Sequence, residues 1–305
     1  MRSARLGPAV LIVSSLLFLT TACGSSADGA APERALTVVT STNVYGAIAS
    51  AVGGADVQVT SIIDDPSADP HSFEANARTQ LAVSKADVIV ENGGGYDDFL
   101  DTLISATGTD ATVVNAVDVS GRAAAAEAAG EQLNEHVWYD FPTVEKVADA
   151  IAAALGKADL GRADRYSANA ADFTRQVDGL IAAEEQARPT TQGVGVAVTE
   201  PVPGYLLDAL GAVDRTPVEF SAAIEEGGDV SPSVLRQTLD LFSSGQVSAL
   251  VYNEQTSGPQ TDQVVDAAKR AGIAVVPVTE TLPAGEDYVA WMQRNLDAVA
   301  AALSA

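Results

Sequence analysis

Short apolar runs alternate with stretches of helical periodicity along most of this chain. In the first half, the pattern predicts strands at 36–40, 57–63, 88–91 and 112–115, and helices at 44–52, 76–84 and 97–106. In the second half, it predicts strands at 194–199, around Val213, at 249–252 and at 274–277, and helices at 203–210, 232–243, 259–271 and 287–303. Strands and helices that alternate at this spacing are typical of parallel sheets covered by helices on both faces.

A long segment without strand-like sequence separates the two halves. Residues 142–189 are predicted to be helical, with a start at Pro142 and one interruption near 156–161, whereas the Ala-rich stretch 121–130 is predicted as a loop. We therefore expect an α/β protein with two Rossmann-like lobes, 36–141 and 190–305, whose parallel sheets are joined by a long rigid helix. Such a connection favours a small, stiff movement of the lobes over a wide hinge.

The N-terminus has the features of a secretory signal. Arg2 and Arg5 precede an apolar run at 9–19, which is too short to cross a bilayer, and Cys23 is the single cysteine of the chain. The surrounding residues resemble a lipobox, although Leu19 lies one place upstream of the usual leucine. We expect a signal peptide at 1–22, a lipid on Cys23, a flexible tether at 23–35 and anchoring on the outer face of the bacterial cytoplasmic membrane.

The charge of the chain restricts its partners. The formal net charge is −24, and removal of residues 1–22, which contain two Arg and no acidic residue, brings it to −26. An acidic surface disfavours nucleic acids and anionic lipid headgroups as partners and attracts cations. Since the same acidity also keeps an exported protein soluble, it excludes nucleic-acid binding without indicating a metal site.

The candidate chemistry centres on the only two histidines. His71 lies in the sequence DPHSFE, a few residues beyond a predicted strand, and His136 lies in NEHVWYD. Glu200 and Glu280 each follow the end of a predicted strand. Imidazole is the commonest metal ligand among side chains, and ligands bind outside the carboxyl ends of strands in parallel sheets. A lone histidine often has only a structural role, so the surrounding sequence must indicate whether these two histidines bind a metal.

That context resembles a known family. The sequences TVVTST at 37–42, DPHSFE at 69–74, VIVENGG at 88–94, NEHVWYD at 134–140 and the last helix from Tyr288 to Leu296 are similar to those of the substrate-binding lipoproteins of zinc- and manganese-type ABC importers, cluster A-I of the solute-binding proteins. The resemblance covers essentially the whole mature chain. It implies a monomer without enzymatic activity that captures one divalent metal ion and delivers it to a membrane permease with a cytoplasmic ATPase.

The resemblance also implies a set of four ligands between the lobes. By position these are His71, His136, Glu200 and Glu280, although many members of the family have an aspartate where Glu280 stands. The competing carboxylates for the fourth position are Glu225 and Glu226, in a Gly-rich loop, and Asp287. Beside the histidines, Glu74 and Asp140 either accept imidazole protons or pack against the motifs.

At this point, alternatives remain open for the identity of the metal and for the class of function. Two imidazoles and two carboxylates lean towards manganese or iron, whereas intrinsic affinity favours zinc over manganese. A zinc hydrolase also uses histidines and a glutamate, but the chain has no His-Glu-x-x-His helix and its histidines are 65 residues apart. A small organic ligand or siderophore is a further alternative, although an aromatic content of 5% offers little lining for such a pocket.

Overall fold

Two parallel sheets of four strands form the framework of the computed structural model, which describes residues 34–65, 68 and 70–305. The first sheet has the order β2-β1-β3-β4 and the second the order β6-β5-β7-β8. The strands are β1 (Leu36–Thr42), β2 (Val57–Ile63), β3 (Val88–Glu91), β4 (Thr112–Asn115), β5 (Gly195–Val198), β6 (Val213–Asp214), β7 (Ala249–Asn253) and β8 (Ala274–Val278). The predicted α/β fold with two parallel sheets is confirmed.

The first lobe surrounds its sheet with short helices. Every residue of β3 is buried, as expected for a central parallel strand that is covered on both faces. The helices are α1 (Asn43–Gly53), α2 (Ala77–Val83), α3 (Asp98–Thr107), α4 (Ala116–Ser120) and α5 (Arg122–Ala129). Helix α2 begins at a capping box, in which Asn76 and Thr79 bond reciprocally to each other's backbone.

The connection between the sheets consists of two helices, α6 (Phe141–Ala158) and α7 (Ala163–Thr191). Helix α6 packs against α1, α4 and the strands β3 and β4 of the first lobe. Helix α7, with 29 residues, contacts α1 and α6 and also two helices of the second lobe. The long helix that bridges the lobes is therefore α7.

The second lobe repeats the alternation of strand and helix. Its helices are α8 (Gly204–Ala209), α9 (Val218–Glu225), α10 (Pro232–Ser243), α11 (Pro259–Arg270) and α12 (Tyr288–Ser304). Ser231 caps α10 and Asp287 caps α12, each accepting a backbone N–H three residues further along. Helices α8 and α12 are the ones that contact α7.

Two local predictions were wrong. The Ala-rich stretch 121–130 is not a loop, because its interior forms α5 and its two glycines take left-handed conformations at the ends of that helix. Alanine is the best helix former, and glycine is favoured just beyond a helix C-terminus. The Gly-rich loop predicted to carry Glu225 is in part helix α9, which ends at Glu225 immediately before the loop.

One apolar core extends through both lobes. It includes Val38 and Val90 of the first sheet, Val198 and Val251 of the second, and Leu180 of α7. Residues Ala35–Ala305 accordingly form one compact unit. Among the described residues, no helix combines the length and apolar character needed to span a membrane.

Part of the predicted organisation falls on residues outside the described ranges. The signal peptide at 1–22, the lipidation of Cys23 and the tether as far as residue 33 lie outside the described residues. The lobe boundaries at 141/142 and 189/190 stay predictions.

Candidate metal centre

The loop after β2 carries His71 in a single 3-10 turn, Pro70–Ser72. The His71 side chain is 25% exposed, and its Nε2 lies 3.9 Å from Oε1 of Glu135. Its ring meets the Tyr96 ring edge-on at 5.1 Å between centroids. Two residues further on, Phe73 packs against Phe99 of α3 at 4.8 Å. These contacts hold the turn so that the imidazole faces the second histidine motif.

His136 is almost completely buried, with 1% of its side chain exposed. Its ring packs against Trp138 at 5.0 Å and Tyr96 at 5.9 Å. Burial, followed by the charge of His71, lowers the pKa of His136 to about 3. The imidazole is therefore neutral at physiological pH, which is the state required of a metal ligand.

Asn134 determines which nitrogen of His136 is available. Its Oδ1 lies 2.7 Å from Nδ1 of His136 and also accepts the His136 backbone N–H, while its Nδ2 donates to the carbonyl of Pro201. Since Oδ1 can only accept, Nδ1 carries the proton and Nε2 keeps its lone pair. A Cβ at Gly204 would lie 2.5 Å from Nδ2 of Asn134, so glycine permits this close approach of the second lobe.

The second lobe supplies two carboxylates at the ends of its strands. Glu200 comes shortly after β5 and is 3% exposed, and Glu280 follows β8. Asn253, the last residue of β7, donates from Nδ2 to both carboxylates. Tyr96 of the first lobe donates its hydroxyl to Oε2 of Glu280 at 3.2 Å. The carboxyl ends of β5, β7 and β8 therefore meet where such sheets bind ligands.

Two further carboxylates lie beside the histidines. Oε1 of Glu225, at the end of α9, is 3.5 Å from Nε2 of His136. Burial, followed by the charges of nearby glutamates including Glu135 and Glu200, raises the pKa of Glu225 to about 9. Burial also raises the pKa of Glu135. The motifs gave no role to Glu135, and no sequence signal separates it from an ordinary loop acid.

These residues surround one cleft of about 950 Å³. His71, Glu200 and Glu280 line it together with Glu135 and Glu225, and His136 lies buried beside Glu225. Within the described ranges, one group of three possible ligand atoms lies within 4.8 Å of one another, and it comprises His71, Glu135 and Glu225. The four predicted ligands share the region but do not form such a group.

The competing candidates occupy different positions. Glu226 lines the cleft and is exposed. Asp287 caps α12 through the backbone of Ala290 and is absent from the cleft lining. Asp140 does not accept the His136 proton, because it forms a two-pronged ion pair with Arg122 at 2.7 and 2.9 Å, and Asn134 takes that role. Glu74 is exposed.

Comparison with known proteins gives matches over almost the whole chain. The family model described as zinc-uptake complex component A, periplasmic, matches residues 38–302. Manganese-binding lipoprotein MntA of Halalkalibacterium halodurans is 25% identical over 301 residues, which cover 96% of this chain and 97% of that protein. The similarity thus extends along nearly the whole length of both chains.

Solved structures share the fold. The periplasmic zinc-binding protein TroA from Treponema pallidum superimposes with a TM-score of 0.72 at 19% identity, covering 89% of this chain and 100% of that one. The SBP FpvC from Pseudomonas aeruginosa in complex with Mn²⁺ gives 0.73 at 23% identity, covering 89% and 98%. The family inferred from the two histidine motifs is confirmed: this chain belongs to the ZnuA family, the periplasmic component A of zinc-uptake complexes.

Proposed function

We propose that this protein is the extracytoplasmic metal-binding component of an ABC importer, which captures a divalent transition metal ion and delivers it to a membrane permease. The observation that carries the proposal is the convergence of both histidines and of carboxylates from the second sheet on one cleft. The names of two relatives support it, since MntA is described as manganese-binding and TroA as zinc-binding.

The proposed ligands are His71 and His136 from the first lobe and Glu200 and Glu280 from the second. Nε2 of His136 is the donor nitrogen because Asn134 holds the proton on Nδ1. Two neutral imidazoles and two carboxylates balance the charge of a divalent ion within this set of four ligands. Asn253 Nδ2 holds one oxygen of each of these two carboxylates on the side of the second lobe.

The binding step needs no chemistry on the cargo. The ion replaces its water with protein donors from both lobes, and this fixes one arrangement of the lobes for recognition by the permease. We expect the partners to be the permease subunit and its cytoplasmic ATPase, with a lipid on Cys23 holding the monomeric protein at the outer face of the cytoplasmic membrane.

The donor set is compatible with manganese, zinc and iron. Carboxylate oxygens suit manganese and imidazoles suit zinc and iron, while the Irving–Williams order gives zinc the higher intrinsic affinity over manganese. Selectivity in the cell then depends on geometry and on metal supply.

Calorimetric titration of metal-stripped protein with Mn²⁺ and with Zn²⁺ tests the proposal, followed by metal analysis of the dialysed complexes. The expected result is a single tightly bound ion per chain. If neither ion binds, the proposed function is wrong, and a small organic ligand becomes the next candidate for the cleft.

A further inference from the structure

Glu225 is distant from both histidines in the sequence but lies close to them in the structure. As the last residue of α9 it reaches into the cleft, with 16% of its side chain exposed. Its Oε1 is 3.5 Å from the donor nitrogen of His136, and a carboxylate oxygen of Glu225 belongs to the group of close ligand atoms with His71 and Glu135. The same carboxylate therefore approaches both histidines.

The surroundings of Glu225 are unfavourable for a carboxylate unless a cation lies beside it. Glu135, Glu200 and Glu280 all repel its negative charge. Its buried Oε1 has no hydrogen-bond partner among the described residues. It also ends a helix, where the exposed carbonyl groups carry the negative end of the helix dipole. A divalent cation next to Oε1 would offset each of these costs.

We infer that Glu225 is a further ligand of the transported metal, so that the site offers two imidazoles and three carboxylates. This inference rests on the proposed function and deepens it. Closed zinc sites in proteins are almost always four-coordinate, whereas manganese accepts six donors and is suited by carboxylate oxygen. A fifth protein donor from Glu225 therefore favours manganese over zinc and makes Glu225 a determinant of selectivity.

The substitution Glu225→Gln tests this role, because it keeps the shape of the side chain and removes its charge. Purified full-length protein, stripped of metal, is titrated with Mn²⁺ and with Zn²⁺ by calorimetry. We expect the variant to lose manganese affinity by at least about tenfold and zinc affinity by less, so that the manganese-to-zinc ratio falls. Circular dichroism and thermal melting check that the variant is folded.

Glu219→Gln is the matched control, since Glu219 lies exposed on the same helix and its substitution removes the same charge. It should bind both ions like the wild type. A crystal structure of the manganese-loaded wild type gives an independent readout, with a Glu225 oxygen expected in the coordination sphere.

Three outcomes would overturn the inference while leaving the proposed function intact. Manganese affinity of Glu225→Gln equal to or above that of the wild type would mean that the carboxylate only competes with metal for His136. If Glu225→Gln loses affinity equally for both ions and Glu219→Gln loses the same amount, the effect comes from the change in net charge alone. A manganese-loaded structure with Glu225 outside the coordination sphere would be equally decisive. A wild type that binds neither ion overturns the proposed function itself, and the inference with it.

Discussion

At the scale of single residues, the orientation of His136 depends on Asn134. The amide oxygen of Asn134 holds the Nδ1 proton, and its amide nitrogen bonds to the second lobe. We predict that Asn134→Ala weakens metal binding by about 10- to 100-fold, because the imidazole loses its fixed tautomer. Asn134→Asp keeps an acceptor for Nδ1 and should retain more of the affinity. Equal affinities of the two variants in calorimetry would contradict this role.

The two histidines give the most direct test of the site. Removal of either imidazole deletes a ligand, and we predict that His71→Ala and His136→Ala each lose at least about 100-fold in metal affinity while remaining folded. Ser84→Ala, at an exposed position just after α2 and away from the cleft lining, is the control and should bind like the wild type. Full affinity in either histidine variant would remove that residue from the ligand set.

Some of the candidate site could be predicted from the sequence for a physical reason. Glu200 and Glu280 follow strand ends, and the carboxyl ends of parallel strands gather at one edge of the sheet. Glu135 and the position of Glu225 could not be predicted in this way. Their proximity to the histidines comes from the packing of a loop and a helix end contributed by different lobes.

At the scale of elements, the strands were easier to predict than the short helices. The strands 57–63, 88–91 and 112–115 were predicted with the observed bounds, since β-branched runs are read directly as buried strands. Helices α5 and α9 were missed because glycines or prolines flank them and suggest loops. Because α9 was missed, Glu225 was predicted to lie in a loop instead of at the end of a helix.

Helix α7 carries a buried acid that makes stability depend on pH. Burial, followed by the charges of Asp140 and Glu185, raises the pKa of Glu184 to about 8. Between the ordinary carboxyl pKa and about 8, the folded protein binds more protons than the unfolded chain, so this residue's contribution to stability falls as pH rises.

We therefore predict that Glu184→Gln stabilises the protein at pH 8.5 by about 1 kcal/mol, after allowance for solvent screening, and has little effect at pH 4.5. Urea denaturation at the two pH values measures the difference. Glu127→Gln, at an exposed position on α5, should show no such dependence. A gain of the same size at both pH values would show that charge burial is not the cause.

At the scale of the whole molecule, the two lobes are tied together by more than α7. Asn43 exchanges two hydrogen bonds with the backbone of Leu282, at 2.8 and 2.9 Å. The hydroxyl of Tyr139 donates to the carbonyl of Thr279, and that of Tyr288 to the carbonyl of Trp138. Together with the shared apolar core, these four hydrogen bonds oppose a wide opening of the cleft.

Metal binding should accordingly change side chains and the loop around His71 more than the overall shape. We predict that the radius of gyration, measured by small-angle X-ray scattering, differs by less than about 1 Å between metal-stripped and manganese-loaded protein. Magnesium serves as the control ion, because it prefers oxygen ligands and retained water to imidazole and should leave the profile unchanged. A larger compaction with manganese would show that α7 bends or the contacts around Leu282 break on binding. The permease would then recognise a hinged closure instead of a local rearrangement.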